Sequence, residues 1–214
     1  MDNRGAYKVL ILSGSPHKDG TTVRALEELS GALAAEGIEV EMLKVGHLAI
    51  RGCKACYACS KLGKCVIDDE VNGIAEKFKE ADGIVLASPV YYASPNGGFL
   101  SLLDRLFYSA RFDKSMKVGA SVVVARRGGC TASFDVLNKY FSISGMPIAS
   151  SYYWNQVHGS CAEDAECDLE GMRTMRMLGR NMAFLIKSIA LGKEQLGLPE
   201  IERGVPTNFI RRGE

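Results

Sequence analysis

Residues 7–22, YKVLILSGSPHKDGTT, begin as a continuous apolar run and end as a polar loop of small residues. The run at residues 7–12 is typical of a strand that is buried on both faces of a parallel sheet. Leucines at helical spacing then predict a helix over residues 23–36, which Gly37 ends. The chain therefore opens with a strand, a polar loop and a helix, and this unit decides the fold.

The alternation of strand and helix continues along the chain. Apolar or alternating runs predict further strands at residues 38–43, 83–88, 118–125 and 147–153. Helical spacing predicts helices from Asp68 or Asp69 to about residue 79, from about residue 99, and over residues 134–144 and 169–191. This order predicts an α/β fold, a doubly wound five-stranded parallel sheet with helices on both faces.

The composition limits the class of protein. With 214 residues, 47% hydrophobic and 24% charged, we expect one folded domain over residues 1–192 and a charged tail over residues 193–214 that could serve as an oligomerisation arm. The formal net charge of +1 argues against a nucleic-acid or membrane partner. Because the N-terminus does not resemble a signal peptide and no apolar run approaches the roughly 18 residues of a bilayer span, we expect a cytoplasmic protein.

Four of the seven cysteines lie in residues 51–69, RGCKACYACSKLGKCVIDD, which we call the cysteine loop. Cys53, Cys56, Cys59 and Cys65 have the spacing C-x2-C-x2-C-x5-C. In a reducing compartment, thiols clustered in this way indicate a metal or redox site. A [4Fe-4S] cluster, a zinc ion and no metal all remain open at this point. The other cysteines, which we expect to be bystanders, are Cys130, Cys161 and Cys167.

Residues 13–22, which we call the first polar loop, have the features of a phosphate monoester site. Hydroxyl groups and backbone N–H groups precede a helix, whose dipole is positive at this end. Neither the Walker motif nor the G-x-G-x-x-G dinucleotide motif occurs here. Ser13 and His17 belong to this loop, and the imidazole of His17 could donate to phosphate. A simple capped turn is the alternative.

Three stretches carry a resemblance to a known family. SGSPHKDGTT (residues 13–22) resembles the phosphate loop of the flavodoxin-like, NAD(P)H-dependent FMN reductases. SPVYYASPNGGFLSLLDR (residues 88–105) and ARRGGCTASFDVLNKYF (residues 125–141) resemble their two isoalloxazine loops. The compact cysteine motif is similar to that of the iron-sulfur flavoproteins in this superfamily. The resemblance runs over residues 8–191 and implies a flavodoxin-like fold with FMN as cofactor.

The resemblance also implies site residues. Ser15, Thr21, Thr22 and Val23 would hold the FMN phosphate. The residues that would line the flavin ring are Pro89, Val90, Tyr91, Tyr92 and Ala93, and flat tyrosine surfaces suit such a ring, with core packing as the alternative. The residues that would approach the pyrimidine edge are Arg126, Arg127, Gly128 and Gly129. The arginines could instead bind the phosphate of a nicotinamide donor.

The leading hypothesis is an FMN-dependent oxidoreductase whose flavin exchanges electrons with a [4Fe-4S] cluster. The resemblance implies NAD(P)H or ferredoxin as electron donor, quinone-like acceptors, and a homodimer or homotetramer. One alternative is a cluster-free, NAD(P)H-dependent FMN or quinone reductase. A second is a flavodoxin-like electron carrier without turnover of its own. His158 stays a minor site candidate.

Overall fold

The computed structural model describes residues 6–202, 204 and 207. The first half of the chain forms β1 (Lys8–Ser13), α1 (Thr21–Ala35), β2 (Glu39–Lys44), α2 (Cys59–Leu62), α3 (Glu70–Glu80), β3 (Gly83–Tyr91) and β4 (Ser94–Pro95). The second half forms α4 (Gly97–Ser109), β5 (Val118–Ala125), α5 (Cys130–Ser142), β6 (Gln156–His158), α6 (Ala162–Cys167) and α7 (Leu169–Leu196).

Five of the strands form a parallel sheet in the order β2-β1-β3-β5-β6, and β4 pairs antiparallel with the end of β3. The order reverses on either side of β1, because β2 lies on one side and β3 on the other. Open α/β sheets bind ligands outside the carboxyl ends of their strands at such a reversal. The arrangement confirms the expected doubly wound fold.

Each face of the sheet has its own apolar core. Val9 and Ile11 of β1 pack on the side of α1 and α7, whereas Leu10 and Leu12 pack on the side of α3, α4 and α5. Successive side chains of a strand point to opposite faces, so a strand that is covered on both faces must be apolar throughout. This is why β1 reads as one continuous apolar run.

The polar residues before two helices act as caps. The carboxylate of Asp69 accepts from the N–H of Val71 at the start of α3, so of the two candidates, Asp68 and Asp69, it is Asp69 that caps this helix. The side-chain oxygen of Asn96 accepts from the N–H of Phe99 at the start of α4. Both caps stand directly after a loop at the carboxyl edge of the sheet, and they fix where the loops end.

The last strand lies later in the chain than the sequence predicts. Within residues 147–153, only Ile148 pairs with the sheet, through an isolated bridge to Gly119. The hydroxyl of Ser151 donates to the carbonyl of Tyr153 at 2.6 Å, and the chain turns away from β5 there. It returns as β6, where Val157 pairs with Val124. The expected strand at residues 147–153 is therefore wrong in its bounds, because a turn interrupts the edge.

Several helix bounds also differ from the expectation. α4 begins at Gly97 and α5 at Cys130, each a few residues earlier than expected, and α6 was not expected. α7 passes through Gly192 and ends at Leu196, since a glycine within a helix costs only about 1 kcal/mol relative to alanine. Residues 197–202 are exposed. The expected role of the tail as an arm stays a prediction, and residues 203, 205, 206 and 208–214 lie outside the described residues.

Candidate functional site

A cleft of about 430 Å³ lies at the carboxyl edge of the sheet. Its walls come from the first polar loop, the end of β3, the end of β5 and the segment after β6. Volumes of about 300–1,000 Å³ are usual for small-molecule sites. The cleft thus brings four separate sequence regions together at the place where a doubly wound sheet binds its ligand.

The N-terminus of α1 faces this cleft without a capping side chain. Its N-cap is Gly20, and the described residues provide no side-chain acceptor there. The first N–H groups of a helix have no partner within the helix, and the helix dipole is positive at this end. Thr21, Thr22 and Val23 form the first turn, and the first two line the cleft. This arrangement can receive an anion.

The hydroxyl groups of the first polar loop have distinct places. Ser15 and His17 line the cleft, and the Ser15 hydroxyl accepts from the N–H of His17 at 3.3 Å. Ser13 ends β1 and is fully buried, and its hydroxyl has no hydrogen-bond partner among the described residues. The hydroxyl of Thr21 donates to the carbonyl of Cys161 at 2.9 Å. The loop therefore holds several donors around one helix end.

The second expected loop is a hairpin rather than an irregular loop. β3 continues through residues 89–91, and β4 pairs with it after a turn at Tyr92 and Ala93, whose φ angles are 52° and 56°. Positive φ at both central residues is the geometry of a tight hairpin turn, and it is strained outside glycine. Pro89 and Val90 line the cleft. Tyr91 is 43% exposed and Tyr92 fully exposed, so neither packs in the core.

The third loop touches the hairpin. Gly129 has φ 91°, and a Cβ atom there would lie 2.9 Å from Cα of Ala93 and 2.9 Å from Cγ1 of Val90. Glycine allows this approach because it has no side chain. Arg126 lines the cleft and is exposed, whereas Arg127 and Gly128 lie outside the cleft wall. The two expected ring-binding loops are therefore in direct contact.

Cys130 and His158 form a contact beside the cleft that sequence reasoning did not foresee. Sγ of Cys130 lies 4.0 Å from Nε2 of His158. The backbone N–H of His158 donates to the carboxylate of Asp168 at 2.8 Å, and the ring nitrogen Nδ1 lies 3.6 Å from the same oxygen. Burial raises the pKa of the Cys130 thiol to about 11, so this group stays protonated at neutral pH. The contact does not provide a thiolate nucleophile.

The cysteine loop places its four spaced cysteines around one small cavity. Ala55 and Tyr57 have φ angles of 51° and 57°, so the backbone turns sharply within both two-residue spacers. All four of the spaced cysteines line a single cavity of about 20 Å³, a volume that admits about one water molecule. Cys53 and Cys56 are exposed. Cys65 is partly buried, and Cys59 is buried.

The thiols are not drawn into a ligand geometry as they stand. Within residues 6–202, 204 and 207, no three His, Cys, Asp or Glu side chains are close enough together to hold a metal ion. The four cysteines nevertheless border the same cavity. Soft thiolate ligands select iron-sulfur clusters or zinc.

Arg105 is the site residue that the sequence reasoning missed. It is 1% exposed, and its guanidinium reaches the cysteine loop from α4. Nε and Nη2 donate to Sγ of Cys65 at 3.4 Å and 3.3 Å, and Nη1 and Nη2 donate to the carboxylate of Asp69 at 2.5 Å and 2.8 Å. The signal was available, because Arg105 lies three residues after Leu102 on the apolar face of α4, where a cation needs a partner.

The fold and the cleft together define a flavodoxin-like protein with an uncapped helix end at the switch point of its sheet. The family model described as NADPH-dependent FMN reductase matches residues 7–159. The chain belongs to this family, and it is a flavin-dependent oxidoreductase. Both results confirm the resemblance carried by the three loops.

Similar proteins include curated iron-sulfur flavoproteins. One from Methanocaldococcus jannaschii is 34% identical over 190 residues, which cover 85% of this chain and 98% of the relative. Another from Methanosarcina thermophila is 28% identical over 192 residues, which cover 88% of this chain and 100% of the relative. The solved structure of RosB with bound 8-demethyl-8-formylriboflavin-5'-phosphate aligns with a TM-score of 0.69 at 18% identity, over 97% of this chain and 95% of RosB.

No helix in the described part of the chain is both long and apolar enough to cross a membrane.

Proposed function

We propose that this protein is an FMN-dependent electron-transfer oxidoreductase that carries a [4Fe-4S] cluster on the cysteine loop. The observation that carries the proposal is the single cavity lined by Cys53, Cys56, Cys59 and Cys65 in a chain of the FMN reductase family. Curated relatives that align over nearly their whole length are named iron-sulfur flavoproteins, which supports the same assignment.

The cleft fits FMN on its own chemistry. Its phosphate would lie at the uncapped N-terminus of α1, held by N–H groups of the first turn, that of Thr21 included, and by the hydroxyls of Ser15 and Thr22, because the Thr21 hydroxyl already donates to the carbonyl of Cys161. Ser13 ends β1 at the start of the first polar loop and is buried, and it does not line the cleft, so its hydroxyl adds no contact that the structure shows. The ring would lie toward Val90 and Arg126. FMN supplies both one-electron and two-electron chemistry when it is bound.

The cysteine loop fits a cluster by its donor set. Four cysteines from one short segment can complete a [4Fe-4S] ligand set without a remote ligand. A cluster there would require Cys53 and Cys56, which are exposed, to turn toward Cys59 in α2 and toward the partly buried Cys65 beside Arg105. The protein's own residues position the two redox centres and adjust their electrostatics.

The test is anaerobic purification followed by iron, sulfide and flavin quantitation. We expect about four irons and four sulfides per flavin, as the cluster formula requires. A Cys59→Ala variant should keep its flavin and lose most of its iron. Cys167→Ala is the matched control, because Cys167 is exposed and lies outside the cavity, and it should retain both. Flavin without iron or sulfide in the unmodified protein would refute the cluster.

A second candidate is a cluster-free, NAD(P)H-dependent FMN or quinone reductase. It is favoured by the small size of the cavity, about 20 Å³, and by the exposure of Cys53 and Cys56. The exposed guanidinium of Arg126 at the cleft would then suit the phosphate of a nicotinamide donor. Equal rates of NAD(P)H oxidation by the unmodified protein and by Cys53→Ala would favour this function.

Rapid reduction of the protein by ferredoxin, without NAD(P)H oxidation, would instead favour an electron carrier without turnover of its own.

A further inference from the structure

Two polar side chains of α4, Arg105 and Ser109, lie on the same cavity as the four cysteines. They are four residues apart and therefore lie on one face of the helix, one turn from each other. Both are almost completely buried, at 1% and 3% exposure. Apart from these two, the buried residues of α4 are apolar, namely Phe99, Leu102, Leu103 and Leu106. The polar groups are thus confined to the end of α4 that meets the cysteine loop.

The guanidinium of Arg105 has two edges with different partners. The edge formed by Nη1 and Nη2 faces the carboxylate of Asp69, at 2.5 Å and 2.8 Å. The edge formed by Nε and Nη2 faces Sγ of Cys65, at 3.4 Å and 3.3 Å. Nη1 also donates to the carbonyl of Arg51 at 3.2 Å. Nη2 also donates to the carbonyl of Ile67 at 3.4 Å. Among the described residues, Asp69 is the carboxylate that pairs with the buried charge, and Nε donates to the sulfur atom alone.

The sulfur-facing edge is most useful when Cys65 is a thiolate. A neutral thiol is a weak acceptor, whereas hydrogen bonds between a cation and an anion are about twice as strong as neutral ones. A cysteine that ligates a metal is deprotonated. The hydroxyl of Ser109 adds a second donor, and it has no hydrogen-bond partner among the described residues. A buried hydroxyl without a partner is costly, and Ser109 lines this cavity, so a sulfur acceptor here would satisfy it.

We propose that Arg105 and Ser109 are positioning residues that donate hydrogen bonds to the sulfur atoms of the cluster site and thereby raise the reduction potential of the cluster. The inference rests on the proposed [4Fe-4S] function. Donors and positive charge at the sulfurs stabilise the reduced cluster, which carries one more negative charge than the oxidised one. Arg105 also ties the loop to α4, so it slows loss of iron.

The experiment measures the cluster itself in anaerobically purified protein. Midpoint potentials are taken by dithionite titration with mediators and electron paramagnetic resonance, and iron release to a chelator is timed. Arg105→Lys keeps the charge but loses the two-edged geometry, and Ser109→Ala removes one hydroxyl with little risk to folding. Lys61→Gln is the control, because Lys61 lies exposed on the same loop and its charge is screened by solvent.

For Arg105→Lys, we expect the equilibrium constant for reduction to fall roughly tenfold, about 59 mV for a one-electron couple, and iron release to become severalfold faster. Ser109→Ala should shift the potential in the same direction by less. If the midpoint potentials of Arg105→Lys and Ser109→Ala differed from that of the unmodified protein by no more than the potential of Lys61→Gln does, the inference would be overturned. Loss of iron in Arg105→Lys together with an unchanged potential in Ser109→Ala would also overturn it and leave a structural role. An unmodified protein without iron would refute the proposed function first, and this inference with it.

Discussion

The hydroxyl of Thr21 donates a hydrogen bond to the carbonyl of Cys161 at 2.9 Å. The bond joins the first residue of α1 to the N-cap of α6, so two elements that are 140 residues apart enclose one end of the cleft. Such a bond fixes the helix end toward which the proposed FMN phosphate would point. Its loss should affect ligand affinity as well as stability.

We therefore predict that Thr21→Val weakens FMN binding to the flavin-free protein about fivefold, which corresponds to about 1 kcal/mol for one lost hydrogen bond. Flavin fluorescence titration measures the dissociation constant. Thr174→Val is the matched control, since Thr174 donates to the carbonyl of Glu170 at 2.8 Å, within α7. It should leave the dissociation constant unchanged, and an equal effect of the two substitutions would contradict the prediction.

Replacement of Gly129 by alanine should destabilise the protein by about 1–3 kcal/mol, because φ 91° is unfavourable for alanine and the new Cβ atom would lie 2.9 Å from Ala93. FMN affinity should fall too, because the two cleft loops are forced apart. Gly31→Ala in α1 is the opposite control, since open space surrounds Gly31 and alanine favours a helix by about 0.5–1 kcal/mol. Urea unfolding measures the change in the free energy of unfolding for each variant. If Gly31→Ala destabilised the protein as much as Gly129→Ala does, the prediction would be contradicted.

The carboxylate of Glu28 links α1 to α7 and should make stability depend on acid pH. Burial tends to raise its pKa, but hydrogen bonds from Arg176 at 2.5 Å and Arg24 at 2.9 Å outweigh burial and lower the pKa below its usual value. A lowered pKa in the folded state stabilises the protein above the unfolded pKa of about 4.3, and this stabilisation is lost as pH falls through the folded value.

Glu28→Gln should therefore cost about 1 kcal/mol at pH 7, because the partners are partly exposed, and the cost should shrink as pH falls below about 4. Urea unfolding at several pH values measures this difference. The same substitution at the exposed Glu194 should cost little at any pH. A cost for Glu28→Gln that is constant down to pH 3 would show that the ion pairs do not contribute.

Cys130 should resist alkylation. Burial raises its pKa to about 11, and only the thiolate is nucleophilic, so iodoacetamide at pH 8 should modify it more than tenfold more slowly than an exposed cysteine. Cys167 is exposed and serves as the internal control in the same sample. Peptide mass spectrometry over time separates the two sites. Equal rates would mean that the Cys130 environment opens readily in solution.

The sequence predicts the buried strands well because burial on both faces leaves a continuous apolar signature. β1, β3 and β5 carry that signature, whereas β6 has three residues and pairs with β5 over only that length. A strand so short has too few residues for a periodic pattern, and its place depends on the turn after Ile148. The edge strand was therefore misplaced while the fold class was confirmed.

The candidate site shows the same division. The first polar loop lies within one stretch of chain, so its position at a helix start can be predicted from local patterns, and its role toward a phosphate stays a prediction. The spacing of α4 indicates that Arg105 is buried and needs a partner, but it does not identify Cys65 and Asp69, which lie 40 and 36 residues away. The turn at Tyr92 and Ala93 was also hidden, because positive φ is unusual for these residue types. The roles expected for Tyr91, Tyr92 and Arg127 at the flavin stay predictions.

The cysteine loop follows β2, the strand at one edge of the sheet, and it ends where Asp69 caps α3. A segment at that position can lengthen, shorten or exchange its sequence during evolution without changing which strands pair, since connections over the surface tolerate insertion and deletion. A lineage of reductases could thus gain or discard a second redox centre by altering one connection and one inward-facing arginine. Electron-transfer capacity would then vary among relatives far more readily than the architecture that supports it.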